Sequence, residues 1–145
     1  MERSRYIGFQ SRILRRAGML SRMGDYSCLF LCLCSIADEW RAERMKSGVD
    51  ILALAMDARD EGFLDDEWTC LTTDILRLAT GVGWKKSEVR RIPSPLPENM
   101  YTVEKWFNRR TGLTHFRRRW GDTLDSSVTV HEGRLEGYYV FEPED

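Results

Sequence analysis

A proline-rich segment divides the chain into two halves of different character. Pro93, Pro95 and Pro97 alternate with other residues between Arg91 and Glu98. Proline lacks a backbone N–H and disfavours the helical conformation in the residue before it, so the segment is predicted to be an extended connector. Residues 1–92 have helical patterns, and residues 98–145 have strand patterns. Helices followed by antiparallel strands predict one α+β domain that spans residues 1–145.

Apolar residues at helical spacing predict four helices before the connector. They cover Phe9–Met23, a segment from Cys28 towards Met45, Val49–Glu61 and Leu71–Thr80. The first half of the second helix is apolar on all sides, which is typical of a buried helix. We therefore predict that the helix starting near Cys28 is the central one, with Asp25 or Ser27 as its N-cap.

Two hairpins are predicted after the connector. The first pairs Tyr101–Phe107 with Leu113–Arg117 across a turn at 108–112, and the second pairs Ser127–Val130 with Leu135–Phe141. We expect the central helix to pack on the antiparallel sheet that these strands form.

Composition and charge limit the compartment and the partners. The chain has 145 residues, of which 42% are hydrophobic and 31% charged, as in folded globular domains. No apolar run reaches the ~18 residues that span a membrane, and no leader pattern is present, so a cytoplasmic protein without a membrane partner is expected. Residues 1–23 carry six arginines against one glutamate, whereas residues from Asp122 onwards carry seven acidic residues against one arginine. Such ends either neutralise each other or form a nucleic-acid-binding arm. We favour the first and expect no nucleic-acid partner.

Cysteines form the first candidate site. Cys28, Cys32 and Cys34 lie within seven residues, Cys70 stands apart, and all are expected to be reduced in a cytoplasmic protein. Their spacing does not match paired zinc ligands, so no metal or other cofactor is predicted. Two interpretations stay open. The cysteines are small core residues, or Cys28 is a nucleophile whose thiolate is favoured by the helix N-terminus.

His115 is the candidate general base. It lies in the middle of a predicted strand, whereas His131, the other histidine, lies in a predicted turn. A base must be held on rigid structure, which favours His115. Asp122 or Asp125 could orient its imidazole, although a strand histidine can also be purely structural. The nearby run Arg117–Arg119 is interpreted as a phosphate contact or a solvated edge.

The order of these residues resembles that of minimal papain-fold cysteine peptidases, in the style of the double-glycine peptidases that process bacteriocins. The chain resembles more closely an uncharacterised family of small proteins from phages and spirochaete plasmids that is thought to share this fold. The resemblance extends from about Asp25. The matching stretches are Cys28–Asp38, Glu61–Trp68, Trp106–Phe116 and Asp122–Gly133.

This resemblance implies a cytoplasmic hydrolase of peptide, other amide or thioester bonds, in a bacterium or a phage-infected host. Cys28 would be the nucleophile, His115 the general base and then acid, and Asp122 the residue that orients His115. The oxyanion would be held by the Cys28 backbone N–H and a side-chain donor. Gln10, the only glutamine, is the candidate donor, and Arg22 stands nearer to Cys28 in sequence. The alternative is a non-catalytic binding or inhibitor protein on the same fold, for example an antagonist of host defence.

Overall fold

A computed structural model describes residues 27–118 and 133–144. The predicted helix Phe9–Met23 and the predicted strand Ser127–Val130 lie outside them. The described elements are, in chain order, α1 (Cys28–Glu43), α2 (Ile51–Asp60), α3 (Thr72–Thr80), β1 (Trp84–Val89), β2 (Tyr101–Asn108), β3 (Leu113–Arg117) and β4 (Arg134–Pro143). The predicted α+β architecture is confirmed.

The four strands form one antiparallel sheet in the order β1-β4-β2-β3. The predicted hairpin of β2 and β3 is confirmed, with Asn108 opposite Leu113. Gly112 has a φ of +70°, a conformation that glycine adopts without steric cost. The predicted strand Leu135–Phe141 is also confirmed within β4, but its predicted pairing with Ser127–Val130 is wrong over residues 138–141, where β1 lies on one side and β2 on the other. Among the described strands, β3 therefore lies at one edge of the sheet.

β1 is a strand that the sequence does not predict. This strand lies within residues 1–92, which were predicted to be the helical half. It pairs with β4 from Trp84 opposite Pro143 to Val89 opposite Tyr138. Trp84 is buried, but the next four residues are exposed. The apolar alternation that predicts a half-buried strand is therefore missing. The last helix of the first half ends at Thr80, and the chain joins the sheet before the proline connector.

α1 is the buried central helix that its composition predicts. Its buried residues cover several sides of the helix and include Phe30, Leu33, Ile36 and Trp40. It contacts α3 and β3. The capping prediction is wrong for Ser27, because Ser27 occupies the N-cap position but its side chain makes no capping hydrogen bond. Its φ of −90° and ψ of 3° depart from the extended conformation in which an N-cap side chain reaches the first turn. Asp25 lies outside the described residues.

The two other described helices follow the sequence signals closely. Asp50 caps α2, because its carboxylate accepts a hydrogen bond from the backbone N–H of Ala53 at 3.1 Å. α3 ends at Gly81, whose φ of +81° is the left-handed conformation typical of a helix stop. Within the described residues, no helix combines the length and the apolar character needed to cross a membrane.

Candidate active site

Cys28 is the first residue of the central helix and is half-buried. The first backbone N–H groups of a helix have no partner within the helix, and the helix dipole adds a partial positive charge at this end. Both effects favour the thiolate over the thiol. Cys28 therefore lies where a cysteine nucleophile can be activated.

Two residues of β3, His115 and Phe116, interact with Cys28 in three ways that lower its pKa. The imidazole of His115 forms a hydrogen bond with the sulfur, the backbone N–H of Phe116 forms another, and the charge of His115 adds to both. Burial, the largest single influence, raises the pKa of Cys28. The contributions of His115, Phe116 and the Leu29 amide together outweigh burial, and the pKa of Cys28 lies below its ordinary value of 9.0. The structure thus brings Cys28 and His115 together.

The edge position of β3 explains why a strand amide is available to the sulfur. In an antiparallel pair, every second residue turns its N–H away from the neighbouring strand. On an edge strand these groups are left for other partners. β3 has β2 on one side, and α1 contacts it. The Phe116 N–H can therefore bind Cys28 while β3 stays paired with β2.

The other cysteines have a different environment. Burial, then the neighbouring Cys70 and Asp38, raises the pKa of Cys34 to about 12. Burial, then Cys28 and Asp65, raises the pKa of Cys70 to about 12. Cys32 is fully buried, and no disulfide joins any of the four cysteines. Cys32 and Cys34 are therefore core residues. Cys28, by contrast, has a lowered pKa. The proximity of Cys70 to Cys28 was not predicted, because the two residues are far apart in sequence.

A group of hydrogen-bonded polar side chains on β2 and β3 lies beside His115. Trp106 is the cross-strand partner of His115, and its indole N–H donates to the buried carboxylate of Glu104 at 2.9 Å. The same carboxylate accepts a hydrogen bond from Arg117, whose guanidinium lies 5.1 Å from the centre of the Trp106 ring. Glu104 and Trp106 carry no motif that could have singled them out in the sequence.

The interpretation of the arginine run as a phosphate contact or a solvated edge is wrong for Arg118. Arg117 pairs with Glu104, and Arg118 pairs with Glu39 of α1. Both guanidinium groups contact carboxylates of the protein, but the side chain of Arg118 is 5% exposed and that of Arg117 is 31% exposed. Arg118 is therefore neither a phosphate contact nor part of a solvated edge. Arg119 lies outside the described residues.

Several predicted site residues cannot be placed against Cys28. Asp122 and Asp125, Gln10 and Arg22, and His131 all lie outside residues 27–118 and 133–144. Within those ranges, no three His, Cys, Asp or Glu side chains lie together as a metal site requires.

No protein-family model, curated protein or solved structure matches the chain. A partly accessible thiol with a lowered pKa, hydrogen-bonded to an imidazole, can attack a carbonyl carbon and has a proton donor beside it.

We expect Cys28 to be the first thiol to react with iodoacetamide. At pH 7 a thiol with a pKa of about 12 is ionised to about 10⁻⁵, so Cys34 and Cys70 should react slowly, and Cys32 is inaccessible. Alkylation of Cys28 should be about 100-fold faster or more, as measured by mass spectrometry of the digested protein. Comparable rates for Cys28 and Cys70 would contradict this assignment.

Proposed function

We propose that the protein is a small papain-like cysteine peptidase, or a related amide or thioester hydrolase, encoded by a phage or another mobile element. The observation that carries the proposal is the hydrogen bond between Cys28 and His115, with the lowered pKa of the thiol. Lowered pKa values and a base within hydrogen-bonding reach are the usual features of an activated cysteine. Cytoplasmic location fits the proposal, because a reducing compartment keeps the thiol free.

The reaction begins at the sulfur. The Cys28 thiolate attacks the carbonyl carbon of the substrate and forms a C–S bond, and the carbonyl oxygen becomes an oxyanion. His115 gives its proton to the leaving amine or thiol, whose bond to the carbon breaks. In the second half, His115 takes a proton from water while the water oxygen attacks the thioester carbon. The C–S bond then breaks, which releases the carboxylic acid and regenerates the thiolate.

Two further residues complete the proposed mechanism. Asp122 orients the imidazole of His115, as the third member of such a triad does. Gln10 and the backbone N–H of Cys28 donate to the oxyanion, which is the charge that develops in the transition state.

p-Nitrophenyl acetate tests the proposal without knowledge of the natural substrate. The wild-type protein should release about one equivalent of p-nitrophenol per chain in a burst, because acylation of an activated thiol precedes slower hydrolysis. The acetyl group should be found on the peptide that contains Cys28. The burst should be absent from Cys28→Ala.

Cys70→Ala is the matched control, since it removes a neighbouring half-buried thiol with a raised pKa. It should keep the burst. An equal burst from Cys28→Ala, or none from the wild-type protein, would count against the enzyme. The second result would favour the non-catalytic binding protein, whose biological activity should survive Cys28→Ala.

A further inference from the structure

Arg118 joins the end of β3 to the central helix. Its Nη2 lies 2.9 Å from the Glu39 carboxylate, and its Nη1 donates to the Ser35 hydroxyl at 3.3 Å. The Arg118 side chain is 5% exposed, whereas that of Glu39 is 50% exposed. A buried guanidinium needs a charged partner to offset its desolvation, and its planar fork holds that partner in a defined direction. The contact of Arg118 with Ser35 and Glu39 therefore fixes a direction in addition to pairing charges.

Ser35 and Glu39 lie on the same face of α1 as Cys28. They follow Cys28 by seven and eleven residues. At 3.6 residues per turn, both are within about 20° of Cys28 around the helix axis. His115 and Phe116 contact Cys28 at the start of this face, and Arg118 contacts Ser35 and Glu39 further along it. The helix and the strand are thus joined at two points along one line.

β3 needs such a second point of attachment. It is a five-residue edge strand that pairs with β2 along one side. The hydrogen bonds to the Cys28 sulfur depend on the position of β3 along α1. A displacement of about 1 Å is enough to reduce the activity of a catalytic site. The attachment at Arg118 resists that displacement.

We propose that Arg118 is a positioning residue: its contacts with Ser35 and Glu39 fix β3 along α1 and thereby hold His115 and the Phe116 amide at Cys28. The inference rests on the proposed role of Cys28 as an activated nucleophile. The family resemblance implies no such role for Arg118.

The test compares Arg118→Met with Glu39→Ala in the full chain. For each variant, the rate of Cys28 alkylation by iodoacetamide is measured across pH 5–11, and the midpoint of the profile is recorded. Loss of a positive charge alone should raise the midpoint, and loss of a negative charge alone should lower it. Positioning instead predicts that both variants raise the midpoint and slow alkylation at pH 7, by about tenfold.

Matched control variants separate the effect of the Arg118 contacts with Ser35 and Glu39 from the effects of losing a charge or an ion pair elsewhere. Arg59→Met breaks an arginine–aspartate pair of 2.8 Å with Asp66, elsewhere in the fold. Glu43→Ala removes the same charge as Glu39→Ala one turn further along α1. Neither control should move the midpoint appreciably. Arg118→Lys should recover part of the wild-type behaviour, because an ammonium group keeps the charge but cannot span both partners.

Opposite shifts in Arg118→Met and Glu39→Ala, or unchanged midpoints in both, would overturn the inference. If Arg118→Met does not fold, as judged by circular dichroism, Glu39→Ala decides the matter alone, because a positioning role still requires its midpoint to rise. A wild-type midpoint at or above 9.0 would instead overturn the proposed function itself.

Discussion

Replacing His115 by alanine is expected to lower the hydrolysis rate by about 10²–10⁴-fold, the usual contribution of a general acid–base group. Two effects act together. In the proposed mechanism the leaving group loses its proton donor, and Cys28 loses both the hydrogen bond and the charge through which His115 lowers its pKa. Steady-state hydrolysis of p-nitrophenyl acetate and of a model peptide or thioester measures the loss.

His131→Ala is the natural control, because His131 is the only other histidine of the chain. It lies in a predicted turn and has no role in the proposed mechanism, so its removal should leave the rate within about twofold. Equal losses in His115→Ala and His131→Ala, or no loss in His115→Ala, would remove His115 from the mechanism.

Replacing Trp84 by alanine is expected to reduce the free energy of unfolding by about 3–5 kcal/mol, as for other large buried aromatic side chains. Trp84 is 6% exposed, and its ring makes edge contacts with Trp40 and Tyr101 at centroid distances of 6.5 Å and 5.5 Å. Its indole N–H also donates to the Thr80 hydroxyl at 2.8 Å. The substitution therefore removes apolar burial, two ring contacts and a buried hydrogen bond. Urea unfolding followed by circular dichroism measures the loss.

Lys85→Ala is the matched control on the same strand, because Lys85 is exposed. It should change the free energy of unfolding by less than about 0.5 kcal/mol. Trp84→Phe should fall between the two, since it keeps most of the ring packing but leaves the buried Thr80 hydroxyl without this donor. A loss below about 1 kcal/mol in Trp84→Ala would show that β1 contributes little to the core.

The elements that could be predicted are those with local signals. α2 and α3 have apolar residues at helical spacing and end near glycine, and the hairpin of β2 and β3 has a short turn with Gly112. β1 has one buried residue followed by four exposed ones, so nothing in its sequence distinguishes it from a loop. The position of β4 between β1 and β2 depends on contacts between distant segments, which periodicity does not record.

The residues of the candidate site also fall into those that local sequence signals identify and those that they do not. A cysteine at the start of an apolar helix and a histidine within a strand can be identified as candidates from local patterns. The Phe116 amide and the neighbouring Cys70 could not be predicted, because their roles depend on where β3 and the loop before α3 lie in space. Arg118 illustrates the limit most clearly. The sequence of an arginine run does not reveal whether an arginine is solvated or buried against a carboxylate, as Arg118 is.

We propose that His115 and the backbone amide of Phe116 in β3 activate Cys28 by stabilising its thiolate. The most direct test is the pH dependence of Cys28 alkylation in the wild-type protein and in His115→Ala, with each cysteine followed separately by mass spectrometry. We expect a wild-type midpoint below 9.0 that rises in His115→Ala, because the folded protein then loses a partner of the thiolate while burial remains. A wild-type midpoint at or above 9.0, or one that His115→Ala leaves in place, would contradict it.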